Sequence, residues 1–223
     1  MNYNFRFNAI APYTGDIVKG IGLTLQLTCL TMAIALFIGL IVALARMSGN
    51  APARAAATAY VEAIRNTPLL VQLFIVFFGL PSIGIRLDAY VAALIGLSIN
   101  VGAYASEILR AGIQSIRPSQ IEAGRALGLT AGQTFRSVVL FPAVKAIYPA
   151  LASQFVLLLL ATSVVSSLGV AELFHQATFI DSRTYRSFEA YTLVTVTYLV
   201  LTLAFRALFS LVYWLVFVRR PRA

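Results

Sequence analysis

The residues of this chain that could do chemistry are hydrogen-bonding groups set inside apolar runs. Asn100, Tyr104 and Glu107 follow one another at spacings of four and three, so on a helix they share one face. Arg110 lies three residues beyond Glu107 and is expected to form a structural pair with it. Thr67 and Gln72 stand at the start of another apolar run, and Gln154, Thr162, Ser163 and Ser166 stand along a third. Polar groups in an apolar medium cost free energy and usually face a bundle interior. Hydroxyls and amides can hold the amine and carboxylate of a zwitterion without a fixed charge, so one reading is a solute path. The other is interhelical glue, at about 1 kcal/mol per hydrogen bond.

Bond-making chemistry has no support. The chain shows no nucleophile elbow and no carboxylate pair in a catalytic context. Cys29 is the single cysteine and His175 the single histidine, so there is no metal-ligating set and no intrachain disulfide. His175 is expected to make a local hydrogen bond. No G-x-x-x-x-G-K-[ST] run occurs, and neither Lys19 nor Lys145 sits in a glycine-rich loop. The chain is therefore expected to bind no cofactor, and energy for transport must come from a partner or an ion gradient.

These groups need elements to position them. Of the 223 residues, 60% are hydrophobic and 11% charged, too little polar surface to wrap a water-facing domain. In lipid every backbone group must be satisfied within the chain, and long continuous apolar runs select helices over a barrel. The runs predict five spans, at about 20–45, 67–87, 89–112, 138–165 and 190–218, in one domain covering 1–223. Residues 1–19 read as a short amphipathic lead-in without the apolar core of a signal peptide.

The net charge of +9 is unevenly placed. With the N-terminus outside, the inner segments hold Arg46, Arg54, Arg65, Arg110, Arg117, Arg125, Arg136, Lys145, Arg219, Arg220 and Arg222 against Glu62, Glu107 and Glu122. The outer segments balance Arg6, Lys19, Arg86, Arg183 and Arg186 against Asp16, Asp88, Glu172, Asp181 and Glu189. Arg206 falls within the last span. Lys and Arg favour the cytoplasmic side, so the reading is N-out and C-in. The same reading makes nucleic acid an improbable partner and membrane lipid the surrounding medium.

The inner connection, about 114–137, carries its own helix signals. Pro118 suits a first turn, Ser119 and Glu122 have capping-box spacing, and Gly128 suits a left-handed stop. A short helix over 118–127 is expected on the cytoplasmic face. The small residues Ala123, Gly124 and Ala126 would let another surface approach closely, or the helix is merely a solvated connector.

Glu122-Ala123-Gly124, then Gly128 and Val138-Val139-Leu140, resembles the EAA loop of ABC importer permeases. Gly124 replaces the second alanine, and Phe141-Pro142 shifts the usual proline by one place. The run Arg65-Asn66-Thr67-Pro68-Leu69-Leu70-Val71-Gln72-Leu73 is similar to the R-G-T-P-L-L-V-Q-L run of polar amino-acid permeases. So are Asn100 to Gln114, Thr162-Ser163, Gly169-Val170 with Glu172-Leu173, and Ser182 to Arg186. The resemblance implies an all-α, five-span type I importer fold in the bacterial inner membrane. It implies that Glu122, Ala123, Gly124, Arg125 and Gly128 couple to an ATP-binding subunit dimer, which hydrolyses ATP with magnesium. A second permease subunit and a periplasmic amino-acid-binding protein complete the implied assembly. Many such permeases carry an acid just before the Thr-Ser pair; Ala161 stands there here, which speaks against a strongly basic substrate. The alternatives are a self-sufficient secondary transporter for small polar solutes, which would show internal repeats, and a membrane-embedded enzyme, which would need a catalytic set.

Overall fold

A computed structural model describes residues 4–219; Arg220 and Arg222, assigned above to the inner side, lie outside the described residues. The elements are α1 (Thr14–Met47), α2 (Ala51–Arg65), α3 (Leu69–Phe74), α4 (Ala89–Gln114), α5 (Pro118–Ala126), α6 (Ala131–Thr134), α7 (Phe141–Ala161), α8 (Leu173–Thr184) and α9 (Ser187–Tyr213). A wide turn, Phe135–Leu140, fuses α6 to α7, and a tight turn, Thr162–Leu168, extends α7. Among the described residues, four helical stretches are long and apolar enough to cross a bilayer: Ala11–Met47, Ala89–Gln114, Ala131–Leu168 and Ser187–Val218.

The second expected span differs from its sequence reading. Residues 67–87 do not form one straight helix. The structure instead has α2, then α3 continuing through Ile75–Gly79 and Leu80–Ile83, with a bend of 109° between the two arms. Counting this bent pair as one span gives the five expected. Pro68 causes the break: its extended backbone starts α3, and it cannot donate to α2's last turn. Hydropathy alone missed α2, because it is amphipathic and alanine-rich. Asn50 caps it by accepting from the Ala53 amide, and Pro52 lies in its first turn.

The long helices pack through small residues. On α1, Gly20, Thr24, Thr28, Thr31, Ala35, Gly39 and Ala43 are all buried. A Cβ at Gly39 would come within 2.8 Å of the Ala105 side chain, and one at Gly102 within 2.9 Å of Ile38. Close backbone approach replaces the hydrophobic drive that lipid removes. One core cluster gathers Leu27, Leu73, Leu97, Phe155 and Leu158 from α1, α3, α4 and α7. A second joins Ile17, Leu173, Ala177, Ile180, Val194 and Tyr198 around α8, at the outer end.

Candidate functional sites: the elbow, the inner charge cluster and the cytoplasmic helix

The 109° elbow would leave the last carbonyls of α2 unpaired. Gln72 folds back to them. Its Nε2 donates to Ile64 O at 2.8 Å, to Thr67 O at 3.2 Å and to Thr67 Oγ1 at 2.7 Å. Its Oε1 accepts from Asn100 Nδ2 at 2.9 Å, which ties the elbow to α4. Thr67, Gln72 and Asn100, which the sequence pattern left on separate runs, are thus brought together, and the Gln72 amide is spent on backbone and helix pairing.

Just beyond, Glu107 sits among three guanidinium groups. Arg46 and Arg110 bind its two carboxylate oxygens, Arg110 at 2.6 Å, and Arg65 lies at 3.9 Å. Arg65 also rests over the Tyr104 ring, 5.3 Å from its centroid, and Arg110 donates to Gln114 Oε1 at 2.7 Å. The expected Glu107–Arg110 pair is one edge of a cluster that joins the ends of α1, α2 and α4. Its sign is positive, since one carboxylate faces three cations. Arg46 and Arg65 are distant in sequence, so helix spacing could not reveal them.

The polar residues of the fourth span do not form one wall. Thr162 is fully buried and its hydroxyl donates to Leu159 O at 2.7 Å, which corrects its assignment to a solute-facing position. Ser163 and Ser166 donate to the carbonyls of Leu160 and Ser163, each at 2.7 Å. Ser163 also lines a cavity of about 420 Å³ with Phe174, Tyr191, Tyr198 and Thr202. Gln154 is half-buried on a different turn of α7.

A polar centre that sequence reasoning missed lies at the outer end. Glu172, counted above as a balanced outer charge, is fully buried. It caps α8, accepting from the Phe174 and His175 amides at 2.8 Å each, and it accepts from Tyr198 Oη at 2.8 Å. The Tyr198 hydroxyl also interacts with Thr162 and Thr24, and Thr24 Oγ1 accepts from the Leu173 amide at 3.1 Å. Burial pushes the Glu172 carboxyl above the usual carboxylate range, against the opposing pull of these hydrogen bonds. His175 takes part through its backbone amide alone, as any residue at that position would. The available signal was Glu172 directly before a helix-forming stretch, at a cap position.

The cytoplasmic helix forms over Pro118–Ala126, close to the expected 118–127. Its start differs from the Ser119–Glu122 capping box. Gln120 Oε1 accepts from the Arg117 amide at 3.2 Å, and a second box, Thr130 with Gln133, opens α6. Its end is as expected: Gly128 is left-handed at φ 78°. The Gly128 amide bonds Arg125 O at 2.9 Å and the Leu129 amide bonds Gly124 O at 3.2 Å, a Schellman closure. One expectation is reversed. Gly124 is buried against its own chain, where a Cβ would lie 3.3 Å from methyls of Thr134 and Val138. The face open to another protein carries Ser119, Glu122, Ala123 and Ala126, with Leu127 82% exposed at its tip. Arg125 is exposed as well.

Residues 35–220 match the family described as binding-protein-dependent transport system inner membrane component. The chain is 46% identical over 164 residues to the L-cystine transport system permease protein of Bacillus subtilis, covering 74% of this chain and 70% of that one. It is 37% identical over 201 residues to the glutamine transport system permease protein of Escherichia coli K12, covering 89% and 92%. Among solved structures, an amino acid ABC transporter with histidines superposes with TM-score 0.88 at 41% identity, covering 95% of this chain and 99% of that one. The methionine ABC transporter in an inward-facing form shares the fold at TM-score 0.73 and 21% identity, covering 91% and 96%.

Proposed function

The chain belongs to the family of binding-protein-dependent transport system inner membrane components, and from that premise we propose that it is the permease of an ABC importer for a polar amino acid. It is a multi-pass inner-membrane protein and is not itself the ATPase. The substrate class rests on relatives whose names specify L-cystine, glutamine and arginine. The absence of an acid at Ala161 favours the uncharged members of that set.

The observation that carries the reading is the cytoplasmic helix. A chain without a phosphate-binding loop presents a short helix, capped at both ends, with its outer face free. ATP and magnesium are held by a separate subunit pair, whose closure moves α5 as a rigid body. The fused α6–α7 rod carries that motion into the membrane. A second permease chain, the same or related, and a periplasmic binding protein complete the importer.

The test is copurification of the ATPase and binding-protein-stimulated ATP hydrolysis in reconstituted vesicles. Gly128→Val forces a β-branched residue into a left-handed position, at a cost of about 1–2 kcal/mol. The expected result is normal membrane insertion with ATPase binding weakened or hydrolysis uncoupled from uptake. Full coupling in both Gly128→Val and Glu122→Ala would remove α5 as the transmission element.

A further inference from the structure

Arg206 is a charged residue in the middle of an apolar helix, and nothing described so far uses it. It lies 19 residues after Ser187, the start of α9, which is about 28 Å along the helix. It lies 11 residues before Phe217, about 16 Å. Phe217 marks the inner boundary: its carbonyl accepts from Lys145 Nζ at 3.5 Å, and Arg219 stacks on Trp214 at 5.3 Å. Arg206 is therefore near mid-membrane, too far from either end to snorkel to the headgroups.

Its surroundings are largely apolar, with the Ser210 and Tyr213 hydroxyls close by. Phe205 and Phe209, on the neighbouring face of α9, pack on Phe155 with centroids 4.9 and 5.1 Å apart. Arg206 is exposed, away from that cluster. Among the described residues no carboxylate pairs with it, no ring stacks under it and no side-chain hydrogen bond holds it. It lines a cavity of about 270 Å³ with Tyr148, Pro149, Ser153, Ser210 and Tyr213. Pro149 interrupts the α7 ladder here, and Tyr148 Oη is committed to Phe209 O at 3.0 Å. Ser210 and Tyr213 supply hydroxyl donors beside the guanidinium. A fixed cation left facing hydrocarbon is expensive, and a guanidinium with hydroxyls beside it can offset that cost by pairing with a carboxylate.

We propose that Arg206 binds the α-carboxylate of the transported amino acid partway across the membrane. The inference rests on the importer reading above. It assigns the anionic end of a zwitterion to α9.

The test uses the complete importer, with its ATPase and binding protein, in vesicles of defined lipid, fed radiolabelled L-glutamine or L-cystine. Arg206→Gln is expected to lower uptake about tenfold or more, the loss of one charge-assisted bond. Arg206→Lys should recover much of it, with both complexes isolated at the wild-type subunit ratio. In nanodiscs without the binding protein, L-glutamine should compete for binding better than its α-amide, and Arg206→Gln should abolish that preference. Wild-type uptake in Arg206→Gln overturns the proposal and leaves the importer reading intact. A preference for the acid that survives in Arg206→Gln, with uptake following the anionic-lipid content, also overturns it, in favour of a headgroup contact. Failure of the wild-type importer to move either amino acid while hydrolysing ATP overturns the amino-acid reading itself.

Discussion

Two glutamates anchor opposite ends of the molecule, and their settings are opposites. Glu107, at the inner end, keeps a side chain 20% exposed and meets three guanidinium groups. Glu172, at the outer end, is fully buried and meets two backbone amides and a phenol. Ion pairs in partial contact with water can part and re-form with little penalty, because water replaces a lost partner. A dry carboxyl held by neutral donors cannot, because each lost donor leaves a buried group unsatisfied. The outer end is thus built as a fixed plug and the inner end as a joint. A joint is what the elbow needs if α5 is to move the membrane helices.

The largest expected effect comes from breaking the plug. Glu172→Ala removes three hydrogen bonds at once and opens a hole under α8, so it should destabilise the purified protein by about 3–5 kcal/mol. Tyr198→Phe removes one of the three and should cost about 1 kcal/mol. Thermal unfolding in detergent reads both. The pH profile sharpens the point. The folded Glu172 carboxyl lies above its ordinary value of 4.5, so the folded state binds more protons than the unfolded one above that value. Stability contributed by this group should fall as pH rises from about 4.5 through the raised folded value. A profile in Glu172→Ala that keeps the wild-type slope would show that the carboxyl does not titrate with folding.

A smaller effect is expected at the joint. Glu107→Gln leaves Arg46, Arg65 and Arg110 facing one another with no anion between them. The loss should be about 1–2 kcal/mol, discounted for exposure, and should shrink as salt screens the guanidiniums. The Glu172 variants should show no such salt dependence. Equal salt dependence at the two sites would erase the distinction between plug and joint.

What the sequence disclosed follows the same division. The long spans were legible because hydropathy is additive along a helix and needs no partner. Gly128 was legible because a left-handed stop is a local demand of the backbone. Gln72 and Asn100 were legible as polar groups, but not as a cap on broken carbonyls, because the 109° elbow at Pro68 is a tertiary fact. Arg46, Arg65 and Glu107 are joined only by folding. Glu172 was counted only as an outer charge: its two amide partners are local, at a cap position, but its burial and its Tyr198 partner come from packing α8 against α9.

The smallest effect concerns which face of α5 a partner touches. Small residues there suggested close approach by another protein, yet the structure turns Gly124 inward and Ala123 outward. A methyl at Gly124 would press on Thr134 and Val138 at 3.3 Å, contacts that flexible side chains relieve by moving a few tenths of an ångström. Gly124→Ala should therefore cost no more than about 1 kcal/mol of stability and leave ATPase binding unchanged. Ala123→Leu adds bulk on the exposed face, where this chain has nothing to clash with, so its stability should stay within about 0.5 kcal/mol of wild type. A close-packed interface tolerates added volume poorly, so the same substitution should weaken ATPase copurification. The pair separates fold from docking: one change acts inside the chain and the other outside it. If Gly124→Ala released the ATPase while Ala123→Leu retained it, the helix would be presenting the opposite face, with the α5–α6 contact opening when the partner binds.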